Sequence, residues 1–243
     1  MLKYSVLMPF YNRIKEFGMA LSSYQYWYGD RKDVEIVIGL DIKDTNGSDL
    51  VRLLTDNTSI NVKIIRTGAL DCFVPGPAFN VLARVATGNM LVITNPETVH
   101  LDNILDSIAA NWPNPDSPDH PFYLSFACEA GIVGDYEQKF PKCEYEHYLW
   151  YQHSEHNNRM LHFCSAIAKD TYFRIGGFDE GYSLGIGYDD NDFIYKINSA
   201  GIPCRAVDSA RVLHIEHDRS YNNSPEKTEI NKQRFISKWG REP

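Results

Sequence analysis

The sequence predicts an α/β fold, a mostly parallel central sheet flanked by helices, and three observations carry that prediction. Short runs rich in aliphatic and β-branched residues recur at Tyr4 to Met8, Val34 to Leu40, Asn61 to Ile65 and Met90 to Thr94. Each adjoins a longer stretch with apolar residues at helical spacing, and strands alternating with helices make βαβ units. A chain of 243 residues can also bury a substantial core without covalent staples. Its five cysteines are scattered, odd in number and free of any C-x-x-C pair, so neither a disulfide framework nor a zinc site is expected. Reduced thiols and a cytoplasmic location follow.

Taken in order, the first strand ends in Pro9-Phe10-Tyr11-Asn12-Arg13 and leads to a helix from Ile14 to Tyr28. The second ends in Asp41-Ile42-Lys43-Asp44 before a helix over Ser48 to Leu54, and the third ends in Arg66-Thr67-Gly68. The helix from Pro77 to Ala86 has Gly88 placed to stop it, and the fourth strand runs into Asn95-Pro96-Glu97. After Asn111 the pattern changes at the helix-breaking bridge Pro113-Asn114-Pro115-Asp116-Ser117-Pro118. Beyond it come a strand from Phe122 to Ala127, a long poorly periodic stretch full of Tyr, His, Glu and Trp, and a strand from Leu161 to Ala168. Long irregular loops in compact domains are usually functional. A helix then starts at Asp189 or Asp190, carries Phe193, Ile194, Ile197 and Ala200 on one stripe, and closes at Gly201; a last strand spans Val212 to His217. The bridge is too short to separate independent units, so residues 1–243 are expected to form one domain, with a front half over 1–111 and a variable back half over 112–243.

Charge narrows the partners. With 24 Lys and Arg against 32 Asp and Glu the chain carries a formal charge of -8 and repels polyanions, which argues against nucleic acid. No apolar stretch is long enough to span a bilayer, so membrane contact would be peripheral. The 15 Tyr, 12 Phe and 4 Trp suit carbohydrate stacking as well as core packing, and the cluster Tyr145, His147, Tyr148, Trp150, Tyr151, His153, His156 leaves both readings open.

In open α/β sheets, ligands bind beyond the carboxyl ends of the strands, so the polar residues ending the four front strands are expected to line one cleft. In the back half, Asp189, Asp190 and Asp192 put three like charges at one helix start, more than a cap or the helix dipole requires. An Asp of ordinary pKa is ionised at neutral pH and can accept a proton without tuning. Strand alternation sets His214 apart from His217, with His214 the better ligand candidate and His217 the fallback if the strand ends early.

The order of strand, P-x-Y-N-R, strand ending in Asp, strand, helix, strand and acidic triplet resembles the GT-A glycosyltransferases, particularly the family-2-like group. Gly176-Gly177-Phe178-Asp179-Glu180, followed by Gly185-Ile186-Gly187-Tyr188-Asp189-Asp190-Asn191-Asp192-Phe193, resembles the acceptor-side segment of galactosyltransferase-like members. Val212-Leu213-His214-Ile215-Glu216-His217-Asp218-Arg219 resembles their histidine segment. The resemblance implies a GT-A fold and transfer of a sugar, with inversion, from a nucleoside diphosphate sugar (UDP-linked) to a hydroxyl of a carbohydrate or glycoconjugate. By the same resemblance Pro9, Tyr11, Asn12, Arg13, Asp41, Arg66 and Asn95 hold the nucleotide, and Glu97 and His214 bind Mn2+ or Mg2+. Asp190 is then the base, with Asp189, Gly187 and Tyr188 on the acceptor. The sequence departs from the family in one place: Asn95-Pro96-Glu97 stands where such enzymes usually carry D-x-D, which removes one negative charge. A retaining or non-catalytic relative is the alternative, and a nucleotidyltransferase a weaker one, since its Gly/Arg/Lys-rich first loop is missing.

Overall fold

The computed structural model describes residues 2–242 apart from 46, 57, 69–74, 115, 116, 118, 119 and 218–223. Of the features read above, Cys72, Pro115, Asp116, Pro118, Asp218 and Arg219 lie outside the described residues.

The front half follows the expected alternation: β1 (Tyr4–Phe10), α1 (Ile14–Tyr28), β2 (Val34–Asp41), α2 (Gly47–Thr55), β3 (Asn61–Thr67), α3 (Pro75–Val85) and β4 (Met90–Thr94). Every residue of β1, β2 and β4 is buried, which is why these strands read as near-continuous apolar runs rather than alternating ones. β3 lies at the sheet edge and is half exposed. Successive β1 side chains serve opposite faces: Val6 and Met8 pack with Phe17 and Tyr24 of α1, Leu7 with Phe79 and Leu82 of α3.

The back half contributes β5 (Thr98–His100), α4 (Ile104–Asn111), β6 (Tyr123–Val133), β7 (Tyr145–Gln152), β8 (Cys164–Ala168), α5 (Lys169–Arg174), a 3-10 turn (Glu180–Leu184), α6 (Asp189–Ser199), β9 (Cys204–Ile215) and α7 (Pro225–Trp239). The strands join one sheet in the order β3-β2-β1-β4-β8-β6-β9-β5, with β7 paired to β6. β1 to β4 are mutually parallel; β8 is antiparallel to β4 and β6, β5 to β9 and β7 to β6, so the sheet is mixed across its back half. The stretch that looks irregular in sequence contains β7, whose residues are mostly exposed, so no buried face imposes an apolar alternation. α6 begins and ends where its pattern predicts, with Gly201 at φ +65° after it.

β9 is longer than the strand expected there and stops two residues sooner, at Ile215. Its first half, Cys204 to Ser209, is exposed or half-exposed except at Val207 and carries Arg205 and Asp208, which hides it from a search for apolar runs. α7 lays the buried residues Asn231 and Phe235 against the segment around the 3-10 turn and α6.

Candidate active site

The backbone brings Glu97 and two histidines together. Thr98 N–H donates to the Asn95 carbonyl at 3.1 Å, closing a turn with Pro96 and Glu97 at its tip. β5 then pairs antiparallel with the end of β9, setting Thr98 opposite His214, and Ile215 N–H donates to the Glu97 carbonyl at 3.0 Å. Because β9 ends at Ile215, strand alternation no longer governs His217, which turns back to the same carboxylate. Glu97 Oε1 lies 3.3 Å from His214 Nε2 and 3.4 Å from His217 Nε2. The three ligand atoms lie within 4.8 Å of one another. The fallback residue thus stands beside the preferred one. Tyr151 and Phe163 meet the His214 ring edge-on, at centroid distances of 5.0 and 5.5 Å, and fix its orientation.

Burial alone would raise the Glu97 pKa. Hydrogen bonds and charge from His214 and His217 outweigh it and hold the carboxyl well below the usual range. A buried, ionised carboxylate between two imidazoles is chemically a divalent-cation donor set.

The three aspartates of α6 separate into different environments. Asp189 is buried and accepts from Gly76 N–H, in the first turn of α3, at 3.2 Å; burial, reinforced by the neighbouring charge of Asp190, pushes its pKa up to about 7. Asp192 is fully buried and structural: Lys238 reaches it at 2.7 Å and Trp239 Nε1 donates at 2.8 Å, both from the end of α7. Asp190 is half-buried and, among the described residues, accepts only the N–H of Asn191, at 2.7 Å. Of the three it is the least buried and the one most open to a visitor.

The loop ahead of these residues is held from behind. Gly187 and Tyr188 both have positive φ, +71° and +64°, unfavourable for a tyrosine and retained where neighbours over-determine the backbone. Asn231 supplies that restraint by donating to the Gly187 carbonyl at 2.8 Å and the Tyr182 carbonyl at 3.0 Å.

The residues assigned to the nucleotide sit at the carboxyl ends of β1, β2, β3 and β4. Pro9 is buried within β1, Tyr11 and Asn12 are exposed and Arg13 is half-buried. Asp41 is buried and accepts from Lys43 N–H at 2.7 Å, Asn95 is half-buried, and Arg66 is exposed on the edge strand opposite Leu40. Asp44, absent from the expected set, is buried and ties this edge together by accepting from Asn12 N–H at 2.8 Å and Gly47 N–H at 2.5 Å. The aromatic cluster divides: Tyr151 joins His214, while Trp150 gathers His147, His153 and His156 in a separate, largely exposed stack.

Residues 141–218 match the N-terminal domain of galactosyltransferase. No curated protein sequence matches the chain. Among solved structures it resembles the mannosyltransferase PcManGT from Pyrobaculum calidifontis, in complex with GDP-Man and Mn2+ (TM-score 0.67, 16% identity, 100% of this chain and 66% of that one). It also resembles S. aureus TarS 1-349 in complex with UDP-GlcNAc (0.68, 14%, 97% and 67%) and GalNAc-T7 with UDP, GalNAc and Mn2+ (0.63, 17%, 98% and 48%). The chain therefore spans about two thirds of the first two and about half of the third. The architecture is the GT-A fold of glycosyltransferases. Within it, the matched segment 141–218 contains β7, the acidic helix α6 and both histidines of the Glu97 cluster.

Proposed function

We propose that this chain is a glycosyltransferase that moves a sugar, with inversion, from a UDP-linked nucleoside diphosphate sugar to a hydroxyl of a carbohydrate or glycoconjugate. One observation carries the reading: the segment that matches the N-terminal domain of galactosyltransferase supplies His214 and His217, which meet the buried Glu97 of the front half, and also Asp190, a half-buried aspartate with no side-chain partner among the described residues. We treat 1–243 as one catalytic domain, with 1–111 serving the nucleotide sugar and 112–243 the acceptor.

One carboxylate and two imidazoles fit Mn2+ better than Mg2+, because nitrogen donors suit the softer ion and leave positions for diphosphate oxygens. When bound, such an ion neutralises charge on the leaving diphosphate. Asp190 accepts the proton of the acceptor hydroxyl as that oxygen attacks the anomeric carbon, and Asp189 and the Gly187-Tyr188 turn hold the acceptor. Pro9, Tyr11, Asn12, Arg13, Asp41, Arg66 and Asn95 contact the nucleotide. Cys128, Cys143, Cys164 and Cys204 are free thiols, which suits a reducing cytoplasmic setting. Among the described residues no helix is long and apolar enough to cross a membrane.

The test is release of nucleoside diphosphate from a panel of UDP- and GDP-sugars with Mn2+, with and without a saccharide acceptor, followed by NMR of the first-formed product. An α-linked donor giving a β-linked product supports inversion and the role of Asp190. An α-linked product overturns both, and the absence of turnover with every donor leaves the protein a binder.

A further inference from the structure

His162 has no part in that chemistry, and its position is unusual. The residue is 4% exposed, yet its Nδ1 is buried with no hydrogen-bond partner among the described residues. Its contacts are aromatic: edge-to-face with Phe79 and Phe178, both at 5.3 Å, and stacked on Phe163 at 5.8 Å. A buried imidazole nitrogen without a partner is a net cost to the fold, and an apolar ring would fit such a box without that penalty. Buried polar groups left unsatisfied call for a specific cause, of which a ligand is one.

Its place in the fold supplies the cause. His162 lies two residues before β8, whose first residue, Cys164, pairs with Thr94 at the end of β4, so it enters the sheet beside the Asn95-Pro96-Glu97 turn. Phe163, on which it stacks, packs against His214. Phe178, on its other side, stacks at 4.2 Å on Phe193 of α6, the helix that begins with Asp190. The negative charges of Glu97 and Asp190 both reach the ring, while burial, the larger influence, pushes its pKa down and keeps it neutral. A neutral imidazole suits a hydroxyl, which can donate and accept, better than a phosphate.

We propose that His162 is a donor-sugar contact, its imidazole hydrogen-bonding a hydroxyl of the transferred sugar in the gap between the Glu97–His214–His217 set and Asp190. This rests on the glycosyltransferase reading, which puts the anomeric carbon between those two groups. The residue would then discriminate among sugars by the presence or orientation of one hydroxyl, since a site built to bond a hydroxyl rejects an analogue lacking it.

The experiment is calorimetric titration, with Mn2+ present, of the wild type, His162→Phe and His162→Gln with UDP and GDP, then with UDP-glucose, UDP-galactose, UDP-GlcNAc, UDP-GalNAc and GDP-mannose. Wild type should bind one of these nucleotide sugars. His162→Phe should weaken that nucleotide sugar about tenfold while leaving the matching nucleoside diphosphate within about twofold, and His162→Gln, which keeps a donor and an acceptor, should recover part of the loss. Among monodeoxy analogues of that sugar, one should close the gap between wild type and His162→Phe. Equal effects on nucleotide and nucleotide sugar, in either variant, would make His162 a structural residue and overturn the proposal. So would no effect on either. If the wild type binds no nucleoside diphosphate or nucleotide sugar, the glycosyltransferase reading itself fails, an outcome distinct from a wild type that binds them and a variant that does so equally well.

Discussion

Asp192→Ala is expected to cost about 3 kcal/mol of stability, whereas Asp190→Asn, two positions away, should leave stability unchanged and remove transfer. Asp192 is fully buried, with Lys238 at 2.7 Å and Trp239 Nε1 at 2.8 Å. Breaking a buried ion pair by deleting one partner costs roughly 3–5 kcal/mol. The lower end applies, because Lys238 is 30% exposed and keeps Asp179 at 2.8 Å, and so is not stranded. For a chain of this length each kcal/mol moves Tm by about 2–4 °C, so the midpoint should fall by roughly 6–12 °C. Among the described residues Asp190 has only the adjacent N–H of Asn191 to lose, and an amide of the same shape should change stability by less than about 0.5 kcal/mol. Loss of a general base lowers kcat by about 10²–10⁴. Thermal unfolding by calorimetry, with donor turnover measured per folded molecule at a temperature where both variants are native, separates the two. The reasoning is refuted if Asp190→Asn lowers Tm as Asp192→Ala does, or if Asp192→Ala, while folded, loses turnover to the same extent.

Glu97→Gln and His217→Ala should each weaken Mn2+ binding roughly tenfold or more, read by titration calorimetry; wild-type affinity in His217→Ala would remove that residue from the donor set. The Asp189 pKa rises from 3.8 to about 7 on folding, so the native state holds the proton more tightly and stability falls as pH climbs through that window, then levels. Denaturant titrations from pH 4 to 8 should show Asp189→Asn more stable than wild type at pH 8 by roughly 2–4 kcal/mol, an advantage that shrinks toward pH 4, and a constant difference would contradict the burial argument. Gly187→Ala meets no atom within 4 Å but must hold φ +71°, so it should cost about 1–2 kcal/mol and raise the acceptor KM more than the donor KM; the opposite order would detach the turn from the acceptor.

The front half is legible in sequence because β1, β2 and β4 are buried on both faces and the ligand-facing residues follow the strands directly. The same logic fails at the back. β5 is three residues long, too short for any period to register, and yet it is the strand that sets Glu97 beside His214. β7 is a mostly exposed edge strand with no core face to pattern it, and α7 depends on a few contacts such as Asn231 and Asp192 that only the tertiary fold creates. The acidic triplet reads as surplus charge, but nothing local distinguishes Asp190 from Asp192: the difference comes from Lys238 and Trp239, about fifty residues downstream. His162 is lost inside an apolar run for the same reason, since its significance lies in partners it lacks.

The replacement of D-x-D by Asn95-Pro96-Glu97 has a physical counterpart in His217. The turn spends the Asn95 carbonyl on Thr98 N–H, and Glu97 is buried, so a second carboxylate here would carry a desolvation penalty and repel the first. Two imidazoles offer lone pairs without added negative charge, and they already hold Glu97 ionised before any ion arrives. On the proposed assignment, one anionic and two neutral ligands leave a divalent ion with a net charge of about +1 to face the diphosphate, where a two-carboxylate set would leave about zero. The site would then depend on the donor's own phosphates to complete its charge balance, so the ion should bind more tightly with the nucleoside diphosphate than alone, and reciprocally the nucleotide more tightly with the ion. Calorimetric titrations of Mn2+ with and without UDP measure both couplings. Equal Mn2+ affinity in the two cases would mean that the Glu97–His214–His217 set does not face the diphosphate.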